Sequence, residues 1–176
     1  MDPLTQGLLG AALPQSASNK RHIVAAGVLG VASGMAPDLD VLIRSSSDPL
    51  LFLEYHRHFT HSLLFIPFGS FLCALVLYPL FAKRRELNFQ QSWFYCALGY
   101  STHALLDACT SYGTQLFWPI NNTRYAWNTI SVIDPAFSLP ILILSFLCRT
   151  EAKSKLRACR ISMVSGLSDS WGYSTR

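Results

Sequence analysis

Charge is what this sequence has least of. Only 14% of its 176 residues are Asp, Glu, Lys or Arg, while 51% are hydrophobic; average soluble domains are about a quarter charged. That balance excludes a disordered or low-complexity chain and an ordinary solvated enzyme domain. Cysteine is sparse too. Cys73, Cys96, Cys109, Cys148 and Cys159 are odd in number and contain no CxxC pair, which argues against a disulfide framework and against a thiolate metal site. They read as reduced, buried small hydrophobes. The N-terminus lacks the basic region of a cleavable signal peptide and opens on acidic Asp2, so targeting is expected to reside in membrane spans.

What the chain does have is long apolar blocks. Ser62–Ala82 runs 21 residues without a charge, and roughly 20 apolar residues suffice for a spanning helix. Pro67 and Pro79 lie within it, tolerable where neighbouring helices satisfy the freed carbonyls. Leu4–Pro14 and Ile23–Ala36 are shorter, and their Gly and Ala at three- and four-residue spacing predict close helix approach or a re-entrant pair. Trp93–Thr110 and Val132–Cys148 complete the set. The expected fold class is all-α, an integral membrane bundle of about four transmembrane or re-entrant helices. Residues 1–149 form the membrane-embedded domain, and 150–176 a polar, basic, disordered tail.

The net charge of +4 does not describe a nucleic-acid face, because the cations stand at block ends. Lys20 and Arg21, Lys83–Arg85, and Arg149 with Lys153, Lys155, Arg157 and Arg160 obey the positive-inside pattern. That topology, drawn from Lys and Arg alone, puts 38–59, the end of 93–110 and the start of 132–148 on the opposite side. The unexplained polar residues lie there. Tyr112, Phe117, Trp118, Tyr125 and Trp127 suit a membrane–water interface nearby.

Those polar residues fall in three motifs and one outlier. In HALLD, His103 and Asp107 are four apart and share a helix face; they can meet at one cation or hydrogen-bond each other between helices. HRHFTHS carries His56, His58 and His61, with Arg57 an anion clamp and Thr60 or Ser62 a helix cap; it also fits a polar collar at headgroup level. In PDLD an extended segment after Pro37 would project Asp38 and Asp40 to one side, as a divalent-ion pair or a solvated turn. Asp134 lies apart in the last block. Taken singly, each motif has a structural explanation. Taken together on one membrane face, where ionisable groups are expensive and seek one another, they point to a metal site.

At these residues the chain resembles the membrane-bound metal-dependent hydrolases, also described as LexA-binding, inner-membrane-associated hydrolases of bacteria. The likeness runs from Met1 to about Leu147 through MDPLTQGLLG, GMAPDLDVL, HRHFTHSLLF, LGYSTHALLDACTSYGTQLFWP and ISVIDPAFSLPILIL, and the chain stops short of longer members. It implies a multi-pass protein of the bacterial inner membrane. Its metal positions fall on Asp38, Asp40, His56, His61, His103 and Asp107, with Asp134 an additional member. The family's opening reads LTH, and here Gln6 replaces that histidine.

The resemblance and the residues together lead to a hydrolase acting on a lipid-linked or membrane-associated ester, a phosphate ester first, through a water activated by a divalent metal, zinc above others. His56, His61, His103, Asp107 and Asp134 are the expected metal residues. Asp38 or Asp40 serves as general base or bridges a second ion, and Arg57 neutralises developing negative charge. Membrane lipids and a lipid-like substrate are the expected partners, nucleic acid is not. The alternatives are a non-catalytic inner-membrane scaffold or regulatory protein whose His/Asp cluster is structural, and a small transporter relaying through Asp107 and His103. Topology reporters fused after Arg85 and after Asp48 are expected on opposite sides of the membrane; finding both in the cytoplasm removes the single-face argument.

Overall fold

A computed structural model of the chain describes residues 2–42, 57–129, 131, 138–140 and 142–143. Its architecture is helical, and no strand forms among the described residues. Helix α1 covers Pro3–Ser16, α2 Ile23–Met35, α3 Ile66–Leu77 and α4 Phe89–Ala108. The expected last span, Val132–Cys148, and the tail 150–176 fall largely or wholly outside the described residues.

Local chemistry sets the ends. Asp2 caps α1 by accepting from the Thr5 N–H, and Pro3 occupies the first turn, where its missing N–H is harmless. Asn88 and Gln91 form a reciprocal capping box on α4. That box starts α4 at Phe89, four residues before the hydropathic block. The uncharged run Ser62–Ala82 is not one continuous α-helix. Ser62 closes a 3₁₀ turn, Phe59–His61, and its hydroxyl accepts from the Phe65 N–H. The α-helix then begins at Ile66 with Pro67 in its first turn, and widens into a π turn over Tyr78–Ala82. Pro79 explains the widening, since it removes a donor and its ring clashes with the preceding turn.

Packing is inverted relative to a soluble domain. Half of the buried hydrophobic core is alanine (Ala11, Ala25, Ala26, Ala74, Ala82, Ala104, Ala108), and the interior also takes Thr5, Gln6, Ser33, Ser70, Ser92 and Thr102. Large apolar side chains instead point outward, most clearly Leu64, Phe68, Leu72, Leu75, Val76 and Leu80 along α3 and its flanks. Lipid removes the penalty for that face and rewards close contact between small residues. Two helical stretches, Ile23–Leu42 and Ile66–Arg85, are long and apolar enough to cross a membrane.

Helices α1, α2 and α4 pack against one another, and α3 lies against α4. Backbones touch at the crossing: a Cβ on Gly30 would sit 2.0 Å from the Gly10 carbonyl oxygen, and one on Gly99 2.6 Å from the Gly30 carbonyl oxygen. Chain direction then sorts the polar groups. The end of α2, the turn before α3 and the end of α4 meet at one end of the bundle. Arg21 pairs with Glu86 at the other end, where Lys83–Arg85 follow the π turn. Gly30→Val is expected to lower stability by about 3 kcal/mol through overpacking, against less than about 0.5 kcal/mol for Val28→Leu on the exposed face. Thermal unfolding in detergent checks this, and equal midpoints for both variants contradict the close crossing.

Candidate metal centre

Four side chains converge at the end of the bundle opposite the cations. Asp38, His61, His103 and Asp107 each offer one ligand atom, and these atoms all lie within 4.8 Å of one another. The Nε2 atoms of His61 and His103 are 2.9 Å apart. Asp38 Oδ1 stands 3.8 Å from His61 Nε2 and 3.4 Å from His103 Nε2. Asp107 Oδ2 is 3.3 and 3.5 Å from the same two nitrogens. Four donors held about 2.0–2.1 Å from one tetrahedral centre lie about 3.3 Å from each other, so these separations have the right scale.

Proton positions follow from the partners. His103 Nδ1 lies 2.6 Å from the Gly34 carbonyl oxygen, which can only accept, so Nδ1 carries hydrogen. Thr60 Oγ1 donates to Asp40 Oδ2 at 3.1 Å, leaving its lone pairs to accept from His61 Nδ1 at 2.9 Å. Both imidazoles therefore commit Nδ1–H outward and turn Nε2 toward the centre. This is the arrangement that orients metal-ligating histidines. When both rings are neutral, two lone pairs face each other across 2.9 Å; when both are charged, two N–H donors do. Neither of these states is favourable; a single proton shared between the two nitrogens makes a hydrogen bond at that distance but leaves the group short of positive charge.

Charge points the same way. Among the described residues the cluster sets three carboxylates, Asp38, Asp40 and Asp107, against one guanidinium, Arg57. Buried charge is tolerated only when paired or bound to metal. Protonating both rings would balance it but creates the opposed donors, whereas a divalent cation balances it and uses both lone pairs. His61, His103 and Asp107 have fully buried side chains, and Asp38 is 33% exposed. The residues present thus fit a divalent ion.

The other expected residues are distributed around this group. Asp38 and Asp40 do not share one side. Pro37 leads into a 3₁₀ turn, Ala36–Leu42, not an extended strand, and at about three residues per turn side chains two apart diverge. Asp38 reaches the Nε2 side of His61, whereas Asp40 Oδ2 lies 3.5 Å from its Nδ1 and accepts from the Arg57 N–H at 3.0 Å. Arg57 turns inward: its Nε is 3.3 Å from Asp107 Oδ2, it donates to Thr110 Oγ1 at 3.3 Å, and it stacks over Tyr112. His58 packs on Trp118 and is not in the cluster. His56 and Asp134 lie outside the described residues.

Four participants escaped sequence reasoning. The Gly34 carbonyl is backbone and leaves no signature. Thr60 was visible only as a candidate cap. Thr110 and Tyr112, which hold Arg57, stood out only as the end of an apolar block and as an interfacial aromatic. Cys73, Cys96 and Cys109 are free thiols, and no cysteine belongs to the cluster among the described residues.

The sequence model described as YdjM inner membrane protein matches residues 1–171. The chain belongs to the YdjM inner membrane protein family. Membership places it in the inner membrane. It is 27% identical over 142 residues to the "Uncharacterized protein YfhP" of Bacillus subtilis (strain 168), covering 77% of this chain and 42% of that one. It is 30% identical over 115 residues to the "Inner membrane protein YbcI" of Escherichia coli (strain K12), covering 62% and 63%. The match therefore spans less than two thirds of the length of either relative. No solved structure matches the chain.

Arg57 has a left-handed backbone, φ 61°, so a residue with a Cβ is strained there. Arg57→Gly and Arg57→Ala both delete the guanidinium, but the glycine variant is expected to be more stable by about 1 kcal/mol. Comparing thermal midpoints in detergent decides this, and an alanine variant at least as stable contradicts the backbone assignment.

Proposed function

We propose that this member of the YdjM family is a multi-pass, metal-dependent hydrolase of membrane-associated or lipid-linked esters, with a phosphate ester the preferred class. The observation that carries the reading is the pair of opposed Nε2 atoms, each fixed by an outward Nδ1–H and flanked by Asp38 and Asp107. Two imidazoles and two carboxylates suit zinc best among common divalent ions. Such an ion supplies Lewis acidity and activates water near neutral pH.

The chain's own groups would do the rest. Asp38, the part-exposed member, forms the open side where a substrate arrives. Asp40 acts through Thr60 to hold the His61 ring, so its contribution is orientation rather than proton transfer. Arg57 keeps a positive charge beside Asp107 and anionic substrate oxygens. The outward apolar face of α3 keeps the protein in lipid, where a long-chain ester is already concentrated.

One observation favours a second reading. Four protein ligands with three side chains fully buried resemble a closed structural site, since catalytic zinc sites keep a position open. In that reading the ion clamps α2, α4 and the turn before α3, and the protein is a scaffold. Both readings require metal and differ in turnover.

Detergent-purified protein is expected to hold divalent metal, and His61→Ala or Asp107→Ala to lose it while remaining helical. Chelation should lower the thermal midpoint, because an ion at 1,000 times its dissociation constant contributes about 4 kcal/mol. Hydrolysis of lipid phosphate esters that both variants abolish supports the enzyme. A chelator-sensitive midpoint with no turnover supports the scaffold, and full metal stoichiometry in both variants rejects the centre.

A further inference from the structure

The side chain nearest the centre without a role so far is Gln6. It sits early in α1, 1% exposed, and its Nε2 donates to Asp107 Oδ1 at 3.0 Å. Its amide orientation is dictated by that contact, because the reverse would press a carbonyl oxygen against a carboxylate oxygen. Its own Oε1 is buried and has no hydrogen-bond partner among the described residues. An unmet buried carbonyl is destabilising, and Leu or Met would fill similar volume without it. The Nε2 donor is what distinguishes glutamine from those residues here.

A carboxylate can ligate through one oxygen or two. Asp107 divides its oxygens: Oδ1 takes the Gln6 N–H, and Oδ2 faces His61 Nε2 at 3.3 Å, His103 Nε2 at 3.5 Å and Arg57 Nε at 3.3 Å. We infer that Gln6 is a positioning residue, using its amide N–H to hold Asp107 by Oδ1 so that this carboxylate meets a divalent cation through Oδ2 alone. The inference rests on the metal-centre reading above. Histidine at this position would add an imidazole to the centre's surroundings; glutamine instead shapes a donor already there. It also ties α1, which contributes none of the four clustered residues, to the site.

The test uses full-length protein in detergent with Co²⁺ and Zn²⁺ as probes. Gln6→Met removes the N–H at similar volume. It is expected to weaken Zn²⁺ binding by about 10- to 100-fold, the usual effect of losing a group that orients a ligand. It should also lower the intensity of the visible Co²⁺ bands as Asp107 adds its second oxygen. Thr5→Val is the control: Thr5 is buried in the same turn and bonds Asp2 and Ser138 rather than the centre. It should leave both readouts unchanged. Equal losses in the two variants, or none in Gln6→Met, overturn the inference. If Gln6→Met does not fold, carboxylate infrared bands of ¹³C-aspartate-labelled wild-type protein decide. Widely split metal-sensitive bands support one-oxygen ligation, and a narrowly split pair overturns it. The metal-centre reading fails separately, when wild-type protein binds no metal or His61→Ala still binds it in full.

Discussion

Two histidines from distant parts of the chain point the same nitrogen at each other across 2.9 Å, and neither can turn away. His103 is held by a backbone carbonyl and His61 by the Thr60–Asp40 relay. The hydrogen on each ring is therefore external, and the choice left to the centre is between two facing lone pairs, one shared proton and one cation. Flanking carboxylates at 3.3–3.8 Å decide among these by charge. The surrounding architecture is legible as the means of imposing that confrontation.

Imposing it requires backbones that approach more closely than large side chains permit. Glycine at positions 10, 30 and 99 lets α1, α2 and α4 cross with carbonyls in near contact, which brings the Gly34 carbonyl within reach of His103. Lipid makes an outward apolar face stable and lets alanine, hydroxyls and the ionisable cluster share the interior with a few large residues such as Leu29 and Tyr100. The same surroundings explain why the buried acids are held so closely. With little water to hydrate a buried carboxylate, Asp40 and Asp107 must each find a donor or an ion.

Sequence periodicity carried some of this and not the rest. HALLD was readable because four residues is one helical turn, and the His103–Asp107 pair does share the inner face of α4. The Gly and Ala spacing in α1 and α2 predicted close approach for the same geometric reason. PDLD misled, since two residues apart means the same side in a strand and different sides in a 3₁₀ turn, and nothing local to Asp38 and Asp40 distinguishes those backbones. Pro79 was read as tolerable within one span, and the π turn that follows α3 at that proline was not anticipated. Gln6 stood out only against a family pattern. Its partner lies 101 positions away, a separation no local rule reaches. The Asn88–Gln91 box was present in the letters and went unread because hydropathy alone drew that boundary.

The central claim is that Asp38, His61, His103 and Asp107 make one divalent-cation centre. X-ray absorption at the metal edge of zinc-loaded, detergent-purified protein tests it most directly. The account predicts a shell of nitrogen and oxygen at about 2.0–2.1 Å with the outer scattering of two imidazoles and no sulfur. A shell containing sulfur, or oxygen alone without imidazole scattering, would contradict it.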